Sequence, residues 1–435
     1  MSVLKRWDIF CKIVDNFGDI GVCWRLARQL RREHGLQIRL WIDDLQAAQQ
    51  IIPSLNVAEN AQLCDEITII KLHENANFSQ AADVVIEAFA CELPATYLAA
   101  MARNKLANME SKWVNIEYLS AENWVADFHA KPSPQNFINS NHGLTRYFYF
   151  PGFTEATGGL IREDETSGLT GEADIAVQLQ TVINPHPHAG EGARQRVRGA
   201  AQVNLHVDPF SNLSDGTTKQ LTRLTNDISQ VIANPAGGRE VDGLKSLSAS
   251  LFCYPHAPIY ALLDSFSRST HVINCYVPAS SILPQITAYF GVATIKVGDC
   301  FTRENLHVHI LPFLSQADYD QLLRECDLNF VRGEDSWVRA IWACKPFIWQ
   351  PYFQDENTYI KKLSAFLDLF YADFDAKQVV CEAHSAWVSG QFSTETWRTY
   401  LENISAINAY TRLQSNKLAN QTDLASKLVT FCNKL

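Results

Sequence analysis

Several features are scarce or absent in this chain of 435 residues, and each absence argues against a class of protein. No apolar run approaches the roughly 18 residues that a membrane-spanning helix needs. The amino terminus has no long apolar stretch behind its first charged residues, so we expect no signal peptide. The formal net charge of −10 argues against a general nucleic-acid binder. We therefore expect a cytoplasmic protein with neither membrane nor nucleic-acid partners.

Metal and disulfide signatures are also missing. The eleven cysteines never show the Cys-x-x-Cys spacing of zinc and redox sites. Most lie in apolar runs, where a free thiol behaves as a small hydrophobic side chain. His186, His188 and His206 have no carboxylate or cysteine at a convincing ligand spacing, so a solvated loop explains them better than a metal site. We expect a reducing compartment and no structural zinc.

What is present is a chain long and apolar enough for two domains. Hydrophobic residues make up 47% of it. Strand-like apolar runs alternate with amphipathic helical patterns on both sides of a polar segment rich in Gly, Asn, Thr, Ser and Gln, which predicts an α/β fold with largely parallel sheets. We place a first domain at 1–165, a polar insertion at 166–244 and a second domain at 245–419.

The most informative stretch runs from Trp7 to Leu30. A β-rich apolar half is followed by a loop with Gly18 and Gly21, and then by a helical pattern. Asp15 and Asp19 flank this loop. Open α/β sheets bind ligands at the carboxyl ends of their strands, where these carboxylates are predicted to lie. The helical period places Arg25, Arg28, Arg31 and Arg32 on the solvent side of the helix.

This loop also has a purely structural interpretation. The third glycine of a dinucleotide fingerprint is missing, which argues against a dinucleotide site. Asp19 is suited to cap the helix, and Asp15 is suited to close an Asx-turn. From spacing alone, these structural roles are favoured.

A second block, Asn329–Ala340, contains a strand that ends at Arg332, a turn at Gly333 and a helix that starts at Asp335 or Ser336. A helix N-terminus with an adjacent arginine is suited to bind a diphosphate. The alternative is a structural cap, in which Asp335 or Ser336 caps the helix and Arg332 pairs with Glu334. The pattern alone does not separate the two interpretations.

Together these two blocks resemble the bacterial protein-arginine rhamnosyltransferases that modify elongation factor P (EF-P). The resemblance covers about 1–165 and 245–435. It implies the GT-B architecture, in which two Rossmann-like domains face each other across a cleft and a last helix, here about 420–435, returns to the first domain. We expect the family to join its two halves more directly, so that 166–244 is a departure.

The resemblance further implies an inverting, metal-independent glycosyltransferase that moves L-rhamnose from dTDP-β-L-rhamnose to an arginine of EF-P, without a cofactor. Two alternatives stay open. One is a GT-B enzyme that uses another nucleotide sugar and a small-molecule or lipopolysaccharide-core acceptor. The other is a non-catalytic nucleotide-sugar-binding module.

The resemblance also suggests roles for individual residues. Asp19 would be the general base, Asp15 would orient the acceptor guanidinium, and Glu334 would hold sugar hydroxyls or Arg332. An aromatic pair would bracket the thymine while a glutamine reads its edge, although the family pattern has phenylalanine where this chain has Tyr319. Core packing is the alternative for the aromatic residues, above all for Phe252. The expected donor-binding residues are Phe252, Tyr254, Gln316, Tyr319, Arg332, Gly333, Glu334, Asp335, Ser336 and Tyr352.

Overall fold

An eight-stranded sheet forms the first lobe of this computed structural model, which describes residues 6–14, 17–73, 78–137, 140–163, 240–241, 244–354 and 357–435. The strand order is β3-β4-β2-β1-β5-β6-β8-β7, with only β3 and β7 antiparallel to their neighbours. Its strands are β1 (Arg6–Cys11), β2 (Gln37–Ile42), β3 (Ala61–Cys64), β4 (Ile67–Lys71), β5 (Val84–Ala88), β6 (Lys112–Ile116), β7 (Pro132–Phe137) and β8 (Ser140–Tyr149). Asp15, the three histidines and most of the predicted 166–244 segment lie outside the described residues.

The central strand β1 is buried on both faces, as its apolar sequence predicts for a parallel strand. Trp7 and Ile9 belong to the core on one face of the sheet, and Phe10 belongs to the core on the other. Asp8 is fully buried and accepts two hydrogen bonds from Arg39, each 2.6 Å long. Because β1 is fixed from both sides, the loop that follows its carboxyl end starts from a rigid position.

A seven-stranded sheet forms the second lobe. Its main path runs β12-β13-β11-β10-β14-β15, and β9 pairs with β10. Its central pairs β10–β11, β10–β14 and β14–β15 are parallel. Its strands are β9 (Glu240–Val241), β10 (Leu244–Leu251), β11 (Val272–Pro278), β12 (Cys300–Arg303), β13 (Leu306–Leu311), β14 (Leu328–Arg332) and β15 (Phe347–Gln350).

Helices cover both sheets. In the described ranges these are α1 (Gly18–His34), α2 (Leu45–Ile51), α3 (Ala95–Leu106), α4 (Trp124–Phe128), α5 (Ile259–Ser267), α6 (Leu283–Phe290), α7 (Gln316–Glu325), α8 (Asp335–Trp342), α9 (Thr358–Phe370), α10 (Lys377–Ser389), α11 (Thr394–Glu402), α12 (Ile404–Ala419) and α13 (Leu424–Lys434). None of them is long and apolar enough to cross a membrane.

The last helix returns to the first lobe. Leu424, Ala425, Leu428 and Cys432 of α13 are buried in the same hydrophobic core as Trp7 and Ile9. Two parallel-centred sheets, each covered by helices, with the carboxyl-terminal helix packed on the first, constitute the GT-B architecture. The predicted fold class is confirmed.

Both sheets have a point where the strand order reverses. In the first lobe the chain continues from β1 to β2 on one side and returns to β5 on the other; in the second lobe β10 lies between β11 and β14. Loops diverge at such switch points, and the crevice at the carboxyl ends of the strands receives ligands in open α/β sheets. The two blocks that stand out in the sequence follow β1 and β14, so each lies at one of these points.

Candidate active site

The loop after β1 leads into α1, and Asp19 lies in the first turn of that helix. Asp19 does not cap α1, because the cap position is Phe17. Its buried carboxylate instead accepts a 2.8 Å hydrogen bond from the backbone N–H of Val14, and its other oxygen lies 3.5 Å from the Tyr118 hydroxyl. The interpretation of Asp19 as the helix cap is therefore wrong. Its carboxylate lies beside a cavity instead.

That cavity, here called the acceptor-side cavity, encloses about 780 Å³. Phe89 and Tyr118, from the ends of β5 and β6, stack on one wall with ring centroids 4.5 Å apart. Neither residue is singled out by the sequence. The lining residues are Val14, Gly18, Asp19, Val22, Phe89, Tyr118, Leu119, Gly333, Glu334, Trp349, Pro351, Tyr352, Gln354 and Lys362.

The loop between β14 and α8 has a geometry that requires glycine. Gly333 adopts φ +58°, in the left-handed region that a side chain disfavours. The indole of Trp349 donates a 2.7 Å hydrogen bond to the Gly333 carbonyl, which fixes the turn. Ser336 does not cap α8: its hydroxyl bonds back to the amide and carbonyl of Arg332. Glu334 occupies the cap position without a side-chain cap bond.

Arg332 is held between two aromatic rings. Its guanidinium carbon lies 4.6 Å from the ring centroid of Phe252 and 4.5 Å from that of Tyr254. Among the described residues it forms no ion pair, so the expected alternative pairing with Glu334 does not occur. The positive charge is thus directed at a cavity that contains the amino terminus of α8.

This second cavity, here called the nucleotide-side cavity, encloses about 630 Å³. It brings together all of the predicted donor-binding residues except Tyr352, which lines the acceptor-side cavity. The predicted residues in its wall are Phe252, Tyr254, Gln316, Tyr319, Arg332, Gly333, Glu334, Asp335 and Ser336.

Its aromatic pair is arranged edge to face. The rings of Phe252 and Tyr319 lie 5.4 Å apart with an interplanar angle of 61°. Burial raises the pKa of the Tyr319 hydroxyl above its ordinary value, so the phenol stays neutral. The amide of Gln316 is also buried, and its nitrogen donates a 3.1 Å hydrogen bond to the carbonyl of Gly21 in the other lobe.

The two cavities meet at three residues. Gly18, Gly333 and Glu334 line both of them. Glu334 also bridges the lobes, since its carboxylate accepts a 3.0 Å hydrogen bond from the backbone N–H of Leu119. The arrangement therefore places a carboxylate from each lobe, Asp19 and Glu334, in the walls of two adjoining cavities.

The most important correction concerns Arg25, which the helical period places on the solvent side. Its side chain is 2% exposed and forms a bidentate ion pair with Asp320 at 2.9 and 2.8 Å. It also pairs with Asp335 at 2.7 Å. The face of α1 that carries Arg25 is polar because it meets α7 and α8 of the second lobe rather than water. Gly21, one turn earlier, allows this approach: a Cβ there would lie 3.3 Å from a carboxylate oxygen of Asp335.

These contacts belong to a buried ionic cluster. Glu163 pairs with Arg339 at 2.7 Å and with Arg28 at 3.0 Å, and lies 3.6 Å from Arg25. Burial opposes the charge on Arg25, but Asp335, Asp320 and Glu163 raise its pKa above the ordinary value. Burial raises the pKa of Asp320 even though Arg25 opposes this. The described part of the chain contains no group of three or more side chains suited to hold a metal ion.

Comparisons with known proteins point to a single family. A family model described as elongation-factor P (EF-P) rhamnosyltransferase EarP matches residues 7–206 and 218–433. A protein-arginine rhamnosyltransferase of Pseudomonas aeruginosa is 36% identical over 430 residues, covering 98% of this chain and 99% of the relative. One from Shewanella oneidensis is 36% identical over 452 residues, covering 100% and 99%. One solved structure is described as showing the structural basis for EarP-mediated arginine glycosylation of EF-P. It matches this chain with a TM-score of 0.57 at 27% identity, and the match covers 99% of both chains.

The match also bears on the polar segment. We expected the family to join its halves more directly, but the family model runs through to residue 206 and resumes at 218. Most of the segment thus falls within the family pattern, and that expectation is not supported.

Proposed function

This chain belongs to the EF-P rhamnosyltransferase family EarP, and we propose that it transfers L-rhamnose from dTDP-β-L-rhamnose to an arginine side chain of EF-P. The observation that carries the proposal is the meeting of the two cavities at Gly18, Gly333 and Glu334. A donor bound beside α8 would then present its sugar to an acceptor beside Asp19.

The acceptor half of the reaction requires carboxylates. A guanidinium is a poor nucleophile because it stays protonated, with a pKa above about 12. An enzyme that glycosylates it must fix its orientation and remove a proton as the new bond forms. Asp19 is anchored by the Val14 amide, which holds it at the cavity wall, and we assign it as the general base. Asp15, four residues earlier, is the proposed orienting partner.

The leaving group is a nucleoside diphosphate, which needs positive charge. Arg332 and the amino terminus of α8 supply this charge in the proposed site, without a metal ion. In the proposed site the planar fork of Arg332, which lies between Phe252 and Tyr254, would bridge two phosphate oxygens. Glu334, at the junction of the cavities, is placed to hold sugar hydroxyls.

The base of the donor would be selected by Gln316. The amide nitrogen of Gln316 is committed to the Gly21 carbonyl, and its buried oxygen has no partner among the described residues. An acceptor oxygen in this position favours a base that offers a ring N–H, as thymine does, because leaving it unpaired costs about 1–3 kcal/mol. Phe252 and Tyr319, which contact each other edge to face, would form an aromatic wall against which the nucleobase packs.

The two-sided arrangement supports the proposal of an inverting reaction. The diphosphate would leave toward the second lobe while the guanidinium nitrogen attacks from the first. Attack opposite the leaving group inverts the anomeric centre, so a β-linked donor gives an α-linked product. No covalent sugar–enzyme intermediate is required.

Mass spectrometry tests the proposal directly. We would incubate the protein with EF-P and dTDP-β-L-rhamnose, then map the modified residue. A deoxyhexose added to one arginine of EF-P is expected, and replacement of that arginine by lysine should abolish it. Matched reactions with dTDP-glucose and with UDP-glucose test the donor. Absence of any addition to EF-P, with both proteins folded, would overturn the assignment of the acceptor.

A further inference from the structure

The buried Arg25 of α1 makes its closest ion pairs with two carboxylates of the other lobe. Asp320 lies in the second turn of α7, and Asp335 lies in the first turn of α8. Asp335 and Arg25 both line the nucleotide-side cavity. A carboxylate at this place would repel a diphosphate, so its charge must be cancelled before an anion can bind there.

The charges of the cluster balance. Arg25, Arg28 and Arg339 face Asp320, Asp335 and Glu163 within the described residues, three positive charges against three negative ones. Arg332, which faces the same cavity, forms no ion pair among the described residues, and Glu334 adds a carboxylate where this cavity meets the acceptor-side cavity. Without Arg25 the cluster would carry a net negative charge directly beside the cavity, where low solvent exposure limits screening.

We propose that Arg25 is a positioning residue of the donor site: from the acceptor-side lobe it neutralises Asp320 and Asp335 and thereby enables α8 to receive a nucleoside diphosphate. This inference rests on the proposed use of dTDP-rhamnose. It gives the first lobe an electrostatic role in donor binding. Arg25 would act through Asp320 and Asp335 and need not touch the donor.

The packing of α1 supports the same assignment. Gly21 leaves room for the Asp335 carboxylate, and its carbonyl accepts the hydrogen bond from Gln316. One turn of α1 therefore contacts both the proposed base-reading amide and the acid at the start of α8. The Gln316 amide nitrogen also donates a 3.4 Å hydrogen bond to Asp335, but its shorter bond to the Gly21 carbonyl does not involve Arg25. Loss of the Arg25 contacts should therefore disturb the diphosphate end of the site more than the nucleobase end.

The test compares ligands with and without phosphates. We would measure binding of dTDP and of thymidine by calorimetry to the wild-type protein, Arg25→Met and Arg25→Lys. Methionine has a similar length without charge, and lysine keeps the charge but loses the bidentate geometry. We expect Arg25→Met to weaken dTDP at least tenfold and thymidine by less than twofold, with Arg25→Lys between wild type and Arg25→Met. Arg31→Met is the matched control, because Arg31 lies on the same helix as Arg25 but pairs with the exposed Glu66.

The double variant Arg25→Met/Asp335→Asn distinguishes charge from structure. Arg25 neutralises two acids, and removing one of them, Asp335, restores the charge balance of the cluster. The double variant should therefore recover most of the lost dTDP affinity, which a packing defect would not allow. If dTDP and thymidine weaken equally, or if the double variant shows no recovery, Arg25 is only structural and the inference is wrong. Should Arg25→Met fail to fold, Arg25→Lys and the double variant decide. A wild-type protein that binds no dTDP would overturn both the donor assignment and this inference, whereas equal dTDP binding by wild type and Arg25→Met would overturn the inference alone.

Discussion

Replacement of Asp19 by asparagine removes one charge while changing few atoms. The carboxylate is 2% exposed and accepts a 2.8 Å hydrogen bond from the Val14 amide, which an asparagine oxygen can also accept. What is lost is the interaction of a negative charge with the amino terminus of α1, worth about 0.3–1 kcal/mol. A destabilisation of about 1 kcal/mol lowers the melting temperature of a domain of 150–250 residues by only about 2–4 °C.

The effect on turnover should be far larger. General-base catalysis typically contributes about 10²–10⁴ in rate, which is about 3–5 kcal/mol at 1.36 kcal/mol for each tenfold change. Since asparagine cannot take the guanidinium proton, Asp19→Asn should lose this factor in the transfer step. Donor binding should be retained, because Asp19 lines the acceptor-side cavity and not the nucleotide-side cavity.

Single-turnover transfer to EF-P, monitored by intact mass, measures the rate, and dTDP calorimetry measures donor binding. Asp44→Asn is the matched control, because Asp44 caps α2 through the amides of Gln46 and Ala47 and lines neither cavity. Wild-type transfer by Asp19→Asn would show that the carboxylate only anchors the loop. The base would then have to be sought elsewhere in the acceptor-side cavity, with Glu334 the first candidate.

Three further predictions concern charge. Arg332→Lys should weaken dTDP but not thymidine, since lysine cannot bridge two phosphate oxygens while the helix terminus remains; calorimetry with both ligands checks this, and equal dTDP affinity would refute it. Transfer should persist in EDTA, because Arg332 and α8 are proposed to stabilise the diphosphate; activity lost to EDTA and restored by Mg²⁺ would contradict this. Burial lowers the pKa of His384 from 6.5 to about 4, so the stability it contributes is present above pH 6.5 and is lost as pH falls toward 4, by at most about 1.4 kcal/mol per pH unit. Urea unfolding from pH 7 to 5 should therefore show a shallower loss for His384→Gln than for wild type, and parallel curves would refute the assignment.

Local sequence patterns predicted the strands and helices of the candidate site because its residues lie where single strands end. The apolar run that ends at Arg332, the turn at Gly333 and the following helix are all contiguous in the chain. Glycine is the residue that commonly ends a helix, and Gly35 ends α1 with φ +66° as a left-handed cap. Such features depend on neighbours within a few residues, which a sequence displays directly.

The contacts between the two lobes have no such local signal. Arg25 meets Asp320 and Asp335, which lie 295 and 310 residues away, and its helical position is that of a solvent-facing arginine. A polar face does not reveal whether it contacts water or an equally polar face of another lobe. Phe89 and Tyr118 were missed for a related reason, because an aromatic residue after a strand is more often core than cavity wall.

One residue did carry a usable signal. Gly21 lies inside α1, where glycine costs about 1 kcal/mol relative to alanine. A cost of that size needs a compensating gain, and close approach of another element is the usual one. Gly21 and Arg25 are four residues apart and so share a face of α1. Taken together, the helical glycine and the arginine one turn later indicate a buried contact rather than a solvated face.

Helix α1 therefore contributes residues to both cavities. Asp19 and Val22 line the acceptor-side cavity, whereas Gly21 and Arg25 contact α7 and α8 around the nucleotide-side cavity. Because α1 is a regular helix fixed at its start to the buried strand β1, these two faces cannot move independently. Contacts that set the charge beside the proposed diphosphate site also set the position of the proposed base. In the proposed mechanism, donor binding and proton removal share this one helix, so a residue outside the reaction, such as Arg25, would affect both.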